Sequence, residues 1–119
     1  MAEPTDVNRL LPLQPTTFHI LLSLCDEDRH GYAIITDVAR RTAGEIKLSA
    51  GTLYRSIQRM LELGLITEIE KRPARELDDE RRRYYRVTPL GGAAARAEAG
   101  RLRDLLRIAR ACGVVPTTT

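Results

Sequence analysis

The chain has 119 residues, with 17 arginines, 2 lysines and 16 acidic residues, for a formal charge of +3; one small domain is expected, too short for a deep active site. A hydrophobic content of 43% points to a folded chain, and apolar runs of a few residues exclude a membrane span, which needs roughly 20. No apolar leader surrounds Glu3 and Asp6, so a cytoplasmic location is expected, while Cys25 and Cys112 are too few for a disulfide framework and read as small buried hydrophobes.

In chain order, residues 1–15 read as an N-terminal arm. Pro4, Pro12 and Pro15 interrupt it, yet Leu10, Leu11 and Leu13 are too apolar for a free tail and are expected to dock, with a dimer interface as the candidate place. A first helix follows, with Gln14 as its expected cap, Pro15 in its first turn, and Phe18, Leu21, Leu22 and Cys25 on one face. Ile20 and Leu24 widen that face, and His19 falls on the exposed side. A polar turn at 26–29 precedes a second helix, from about His30 to Thr42, that buries Tyr32, Ile35, Val38 and Ala39 in part and ends at Gly44.

The third helix, 49–64, has the clearest start. The Ser49 hydroxyl can accept an orphan backbone N–H, Leu53, Ile57, Met60 and Leu61 trace the inner face, and Gly64 supplies a left-handed stop. The period then changes. Residues 65–71 read as a strand, 73–82 as a charged loop, and 83–87 as a second strand, together a hairpin with a long polar tip. Thr88-Pro89 opens a last helix that runs to about Cys112. Its two apolar stripes exceed what so small a domain can cover, so a second subunit is expected on Leu102, Leu105, Leu106 and Ala109. The tail, 114–119, reads as disordered.

Charge is unevenly placed. Residues 1–48 hold 5 basic and 7 acidic residues, a balance of −2, and residues 49–119 hold 14 and 9, a balance of +5. A polyanion is therefore a candidate partner. The helix at 49–64 offers Ser49, Gly51 and Thr52 at its N-terminal end, where free N–H groups suit a phosphate. Tyr54, Arg55, Gln58 and Arg59 present donors further along; Arg pairs with guanine and Gln with adenine in the major groove. The alternative for this stretch is an ordinary solvated face. Arg81, Arg82 and Arg83, followed by Tyr84, Tyr85 and Arg86, form a basic hairpin that could lie along phosphates. Asp78, Asp79 and Glu80 beside them leave open a self-neutralised hairpin. His19 and His30 have no metal-ligand spacing with either cysteine, and no phosphate loop or nucleophile elbow is present. No enzyme, cofactor or metal is expected.

Four stretches in order, His30-Gly31-Tyr32-Ala33-Ile34, residues 48–55 (Leu-Ser-Ala-Gly-Thr-Leu-Tyr-Arg), Leu63-Gly64-Leu65-Ile66, and Tyr84-Tyr85-Arg86-Val87-Thr88 with Gly91, resemble the PadR family of transcriptional regulators. They cover roughly residues 16–92. Ala50 stands where the family often has Pro, and Pro89 where an acidic residue is common. The element order α-α-α-β-β-α, three short helices and then a hairpin, is itself a winged helix-turn-helix pattern, and with the resemblance it gives a mainly α fold with a small β-hairpin: a winged helix-turn-helix at 16–87 and a C-terminal dimerisation helix at 88–113. It implies a homodimeric repressor that binds a palindromic double-stranded DNA operator, with any small-molecule effector unknown. Some short members bind flat hydrophobic drugs through tryptophan, which this chain lacks. A winged-helix adaptor that binds protein instead of DNA is the alternative.

Overall fold

The computed structural model describes residues 7–70 and 83–116. A 3-10 turn at Val7–Leu10 leads into α1 (Pro15–Leu24), β1 (Arg29–His30), α2 (Gly31–Arg41) and α3 (Ala50–Leu63). Strands β2 (Ile66–Ile69) and β3 (Tyr84–Val87) follow, then α4 (Pro89–Ala111). The fold is mainly helical with one antiparallel sheet of order β1-β3-β2, a winged helix-turn-helix extended by a long last helix. Expectations for 71–82, which include Arg81, Arg82 and the acids at 76–80, and for the tail at 117–119 lie outside the described residues.

Local chemistry sets the helix starts. Ser49 is extended and its Oγ accepts the Thr52 N–H at 3.1 Å, while Gly64 closes α3 at φ 79°. The Thr88 hydroxyl caps α4 by accepting the Gly91 N–H at 3.0 Å. His30 caps α2, its Nδ1 accepting the Ala33 N–H at 3.2 Å. Gln14 precedes α1 in extended conformation, but its side chain makes no capping bond, contrary to the expected role. There Pro15 supplies the start through its fixed φ.

Strand β1 was not legible in the sequence. Its two residues pair with β3, Arg29 opposite Tyr85 and His30 opposite Tyr84, and the His30 ring stands edge-on to Tyr84 at 5.3 Å. The main hairpin registers Ile66 with Val87 and Glu68 with Tyr85. Tyr85 is buried and Arg86 exposed, as alternation requires.

The core gathers Ile20, Leu21 and Leu24 of α1, Ile34 and Val38 of α2, Leu53, Ile57 and Met60 of α3, and Leu65. Helix α1 contacts every other long helix and β3, so its buried side is broader than a single stripe. Ile20, Leu21, Ser23 and Leu24 are buried, Phe18, His19 and Leu22 half-buried, and Cys25 exposed. The expected burial of both cysteines is thus corrected: Cys25 stands at the solvent end of α1, and Cys112 at the free end of α4. Tyr32 is also corrected, being 70% exposed on the outer face of α2.

Leu13 is buried within its own chain, and Leu10 and Leu11 pack half-buried against the same core. The Leu13 N–H donates to Glu98 Oε1 of α4 at 3.2 Å. The arm thus docks on its own α4. The first half of α4 also belongs to the core of 16–87, burying Gly91, Ala94, Ala95 and Glu98.

The helix start at Gly91 is a close approach. A Cβ there would collide with the Leu65 carbonyl oxygen and lie 2.8 Å from Val87 Cγ2. Gly91→Ala is expected to destabilise the fold by about 1–3 kcal/mol through overpacking against backbone. Gly92→Ala, where a Cβ meets Arg96 Nη1 at 3.6 Å, is expected to stabilise by roughly 0.5–1 kcal/mol as a helix-interior Gly replacement. Thermal melts compare the pair, and a Gly91→Ala melt at or above wild type would show that α4 is free to move off Leu65.

Candidate nucleic-acid interface

Helix α3 turns Leu53, Ile57 and Met60 inward, which fixes the outward edge as Gly51, Tyr54, Arg55, Gln58 and Arg59. Ser49 is exposed and Thr52 half-buried, and the Ser49 Oγ also lies 3.1 Å from Thr52 Oγ1. These two hydroxyls serve the cap first, which leaves the N-terminal amides of α3 to meet an anion. A Cβ on Gly51 would lie 3.8 Å from Arg55 Nη1, so the Arg55 guanidinium reaches back over the helix start. Among the described residues no hydrogen bond or ion pair engages Arg55. Gln58 Nε2 donates to Glu62 Oε2 at 3.4 Å, and Arg59 lies 4.0 Å from the same carboxylate, so both are partly occupied.

Tyr54 has a second role. Its ring edge lies over Gly31, where a Cβ would sit 2.7 Å from Tyr54 Cζ. The glycine that opens α2 therefore makes room for an α3 side chain, and Tyr54 remains 49% exposed.

The expected wing arginines divide. Arg81 and Arg82 lie outside the described residues, and Arg83 is exposed with its Nε 3.6 Å from Glu68 Oε2. Arg86 is held in place by Asp28 through two bonds, Nε at 3.2 Å and Nη2 at 2.8 Å. That bidentate pair raises the guanidinium's already high pKa and ties β3 to the α1–β1 turn.

Sequence reasoning missed a buried carboxylate. Asp37 of α2 is 3% exposed and faces Arg29 Nη2 at 3.6 Å, Arg41 Nε at 2.8 Å, and Arg40. Arg41 also bonds Asp26 at 2.9 Å. Burial would push the Asp37 carboxyl up, but the Arg41 hydrogen bond and the Arg29 and Arg41 charges outweigh it, holding it below the ordinary 3.8. The only sequence sign was an acid three and four residues before two arginines. An open cavity of about 350 Å³ lies against this cluster, lined by Arg29, His30, Tyr32, Ala33, Thr36, Asp37 and Arg40.

The expected dimer residues lie along the far half of α4. Leu102, Leu105 and Leu106 are 40%, 52% and 43% exposed, joined by Ile108 at 53%, and Ala109 is half-buried. No cluster of three or more His, Cys, Asp or Glu side chains suited to a metal occurs among the described residues, and none of their helices is long and apolar enough to cross a membrane.

A helix-turn-helix with a winged sheet and an outward arginine edge defines a winged-helix transcription regulator. The Transcriptional regulator PadR-like family matches residues 20–97, and the chain belongs to that family. The family consists of transcription regulators and not enzymes. A transcriptional regulator of Mycobacterium tuberculosis is 33% identical over 89 residues, 75% of this chain and 77% of that protein. An uncharacterised protein of Lysinibacillus sphaericus is 34% identical over 74 residues, 62% of this chain and 65% of its own length, just under two thirds. Among solved structures, a transcriptional regulator from Clostridium thermocellum superposes with a TM-score of 0.68 at 23% identity, over 91% of this chain and 95% of that one. Bacillus subtilis PadR, solved in complex with operator DNA, gives 0.59 at 17% identity, over 71% of this chain and 46% of that one.

The Asp37 cluster gives a pH prediction. Because the folded carboxyl titrates below 3.8, its contribution is complete above that pH and is lost as pH falls through the folded value. Asp37→Ala is expected to cost about 3 kcal/mol at neutral pH, since three guanidiniums lose their shared partner. The gap to wild type should narrow below pH 3.8. Denaturant melts across the acid range measure both, and a constant gap would place the acid sensitivity elsewhere.

Proposed function

We propose that this chain is a homodimeric, sequence-specific DNA-binding repressor that acts in the cytoplasm on a palindromic operator. The observation that carries the reading is the outward edge of α3: an Arg55 guanidinium with no partner among the described residues, above an open helix N-terminus, on a stretch, 49–59, without an acid. Arg55 and Tyr54 would read bases or flanking phosphate, with Gln58 and Arg59 released from Glu62 as the groove is entered. Ser49, Gly51 and Thr52 would bring the N-terminal amides to a phosphate. Arg83, with Arg81 and Arg82, would grip the neighbouring backbone. The operator complex known for Bacillus subtilis PadR supports the mode.

The exposed leucines of α4 supply the second half of the proposal. A contiguous apolar stripe on a helix end is a surface that seeks a partner. A second copy on Leu102, Leu105 and Leu106 closes the stripe by two-fold symmetry. Two α3 helices then face successive major grooves, ~34–36 Å apart. Leu10 and Leu11, half-buried beside α4, would border that contact.

Gel-shift titration against the chain's own upstream region tests DNA binding. Arg55→Ala is expected to weaken specific binding by about 1–3 kcal/mol, the worth of one good base contact. Wild-type affinity in that variant would remove Arg55 from the reading. No shift at low salt by a confirmed dimer would turn the assignment to a protein-binding adaptor. Leu105→Glu is expected to give monomers in sedimentation and to abolish tight binding to the full palindrome; a persisting dimer would place the interface elsewhere.

A further inference from the structure

Helix α4 carries a second surface that operator reading and dimerisation leave unused. Arg96, Arg103, Arg107 and Arg110 are spaced by seven, four and three residues. That spacing puts all four on one face of an α-helix. Leu105 follows Arg96 by nine residues, about two and a half turns, and so stands on the opposite face. All four arginines are exposed, with the Arg103 and Arg107 side chains at 78% and 72%. A dimer closed on Leu102 and Leu105 would leave Arg96, Arg103 and Arg107 so, with Leu106, three residues from Arg103 and four from Arg110, on the border between the two surfaces.

The stripe is short of counter-charge. Asp104 lies 3.4 Å from Arg103 and 3.9 Å from Arg107 at its edge, both pairs exposed, and such pairs contribute little. Arg96 and Arg110 engage no acid among the described residues. The flanks around Arg96 and Arg103 are Gly92, Ala93, Ala99 and Gly100, and Leu106 follows beside Arg110. A Cβ on Gly92 would lie 3.6 Å from Arg96 Nη1, and one on Gly100 3.8 Å from Arg103 Nη2, so these guanidiniums lie low along the helix. A bulky partner can approach them without displacing larger side chains.

We propose that this stripe is a second, sequence-independent contact for the sugar-phosphate backbone of duplex DNA, separate from α3. A protein partner needs an apolar anchor at the centre of its interface, and the centre of this face, from Arg96 to Arg107, has none, Leu106 standing at its edge. A phosphate backbone needs only charge, supplied through counterion release. From Arg96 to Arg110 the stripe runs about 21 Å at 1.5 Å per residue, close to six base steps at ~3.4 Å. In a dimer the two stripes, opposite Leu105 and bordering Leu106, would let one molecule hold a second DNA segment while α3 holds the first. The inference goes beyond operator reading and does not depend on α3 recognising a sequence.

The test uses the full chain with R96A, R103A, R107A and R110A together, alanine being the best helix former. Binding to a duplex without an operator is followed against salt. Capture of a second labelled duplex by protein on an immobilised one is measured alongside. The expected results are a fall in the salt slope of ~0.9 for each phosphate no longer neutralised, loss of second-duplex capture, and retained binding of a short operator duplex. Should that variant fold poorly, R96Q with R110Q touches only the two stripe arginines that engage no acid among the described residues, and about half the slope change is expected. In Arg55→Ala the slope on non-operator DNA should persist even where specific binding is lost, which separates failure of this inference from failure of operator reading. An unchanged slope and capture in a folded stripe variant would overturn the proposal. So would displacement of DNA by polyglutamate as effectively as by competitor duplex of equal charge, because the surface would then be a site for acidic protein.

Discussion

Everything downstream of α3 hangs on Thr88. Its hydroxyl donates to the Gly64 carbonyl at 2.6 Å and accepts the Gly91 N–H at 3.0 Å, while its own N–H donates to the Leu65 carbonyl at 3.0 Å. One residue thus joins the end of α3, the start of β2 and the start of α4. Each bond is worth only about 1 kcal/mol net, but all three act at one point. Gly64 contributes the left-handed turn that aims its carbonyl, and Gly91 the missing side chain that lets α4 touch Leu65. These bonds tie the start of α4 directly to the end of α3. If α4 pairs with a second copy, the knot at Thr88 sets the distance between the two α3 helices.

Arginine pairing explains why a net charge of +3 understates the surface. The acids of the α1–β1 turn are taken up locally: Asp26 by Arg41 and Arg29, Glu27 by Arg29, and Asp28 by Arg86. Asp37 gathers Arg29, Arg40 and Arg41 beneath them. These ions brace α2 against the sheet and contribute little outward field. Among the described residues, guanidiniums without an acid stand elsewhere, at Arg9 on the N-terminal 3-10 turn, at Arg55 on α3 and at Arg96 and Arg110 on α4. Location, and not total charge, separates structural arginines from those available to a polyanion.

The sequence was readable where a local rule decides the conformation. Ser49, Gly64 and Thr88-Pro89 each specify a cap through their own side chain or backbone freedom, and α3 and α4 begin and end within a residue or two of the expected positions. Reading failed where the decision belonged to a distant partner. Strand β1 exists because β3 offers it a ladder, and nothing in Arg29-His30 itself asks for a strand. The face of α1 was misphased because neighbours cover most of that helix, so its apolar pattern carries little direction. Arg86 looked like a wing arginine until Asp28, 58 residues away, claimed it. The outward edge of α3 was legible for the opposite reason, since the apolar spacing of Leu53, Ile57 and Met60 leaves Arg55 one direction to point.

Glu98 marks where α4 changes purpose. It is 3% exposed, receives the Leu13 N–H at 3.2 Å, and is clasped by Arg101 at 2.9 and 2.7 Å. The Arg101 hydrogen bond, followed by the Leu13 amide and the Arg101 charge, overcomes burial and holds the carboxyl below its ordinary 4.5. A buried acid is costly without such partners, so its position is informative. Before Glu98 the inner face of the helix is Gly91, Ala94 and Ala95, small enough to seat against α1. From Leu102 to Ile108 every residue is exposed. The arm, strapped down at Leu13, covers the helix at the last point where the domain can do so. Beyond it the same helix still presents leucines, and a leucine face that its own chain has stopped covering is placed to meet another.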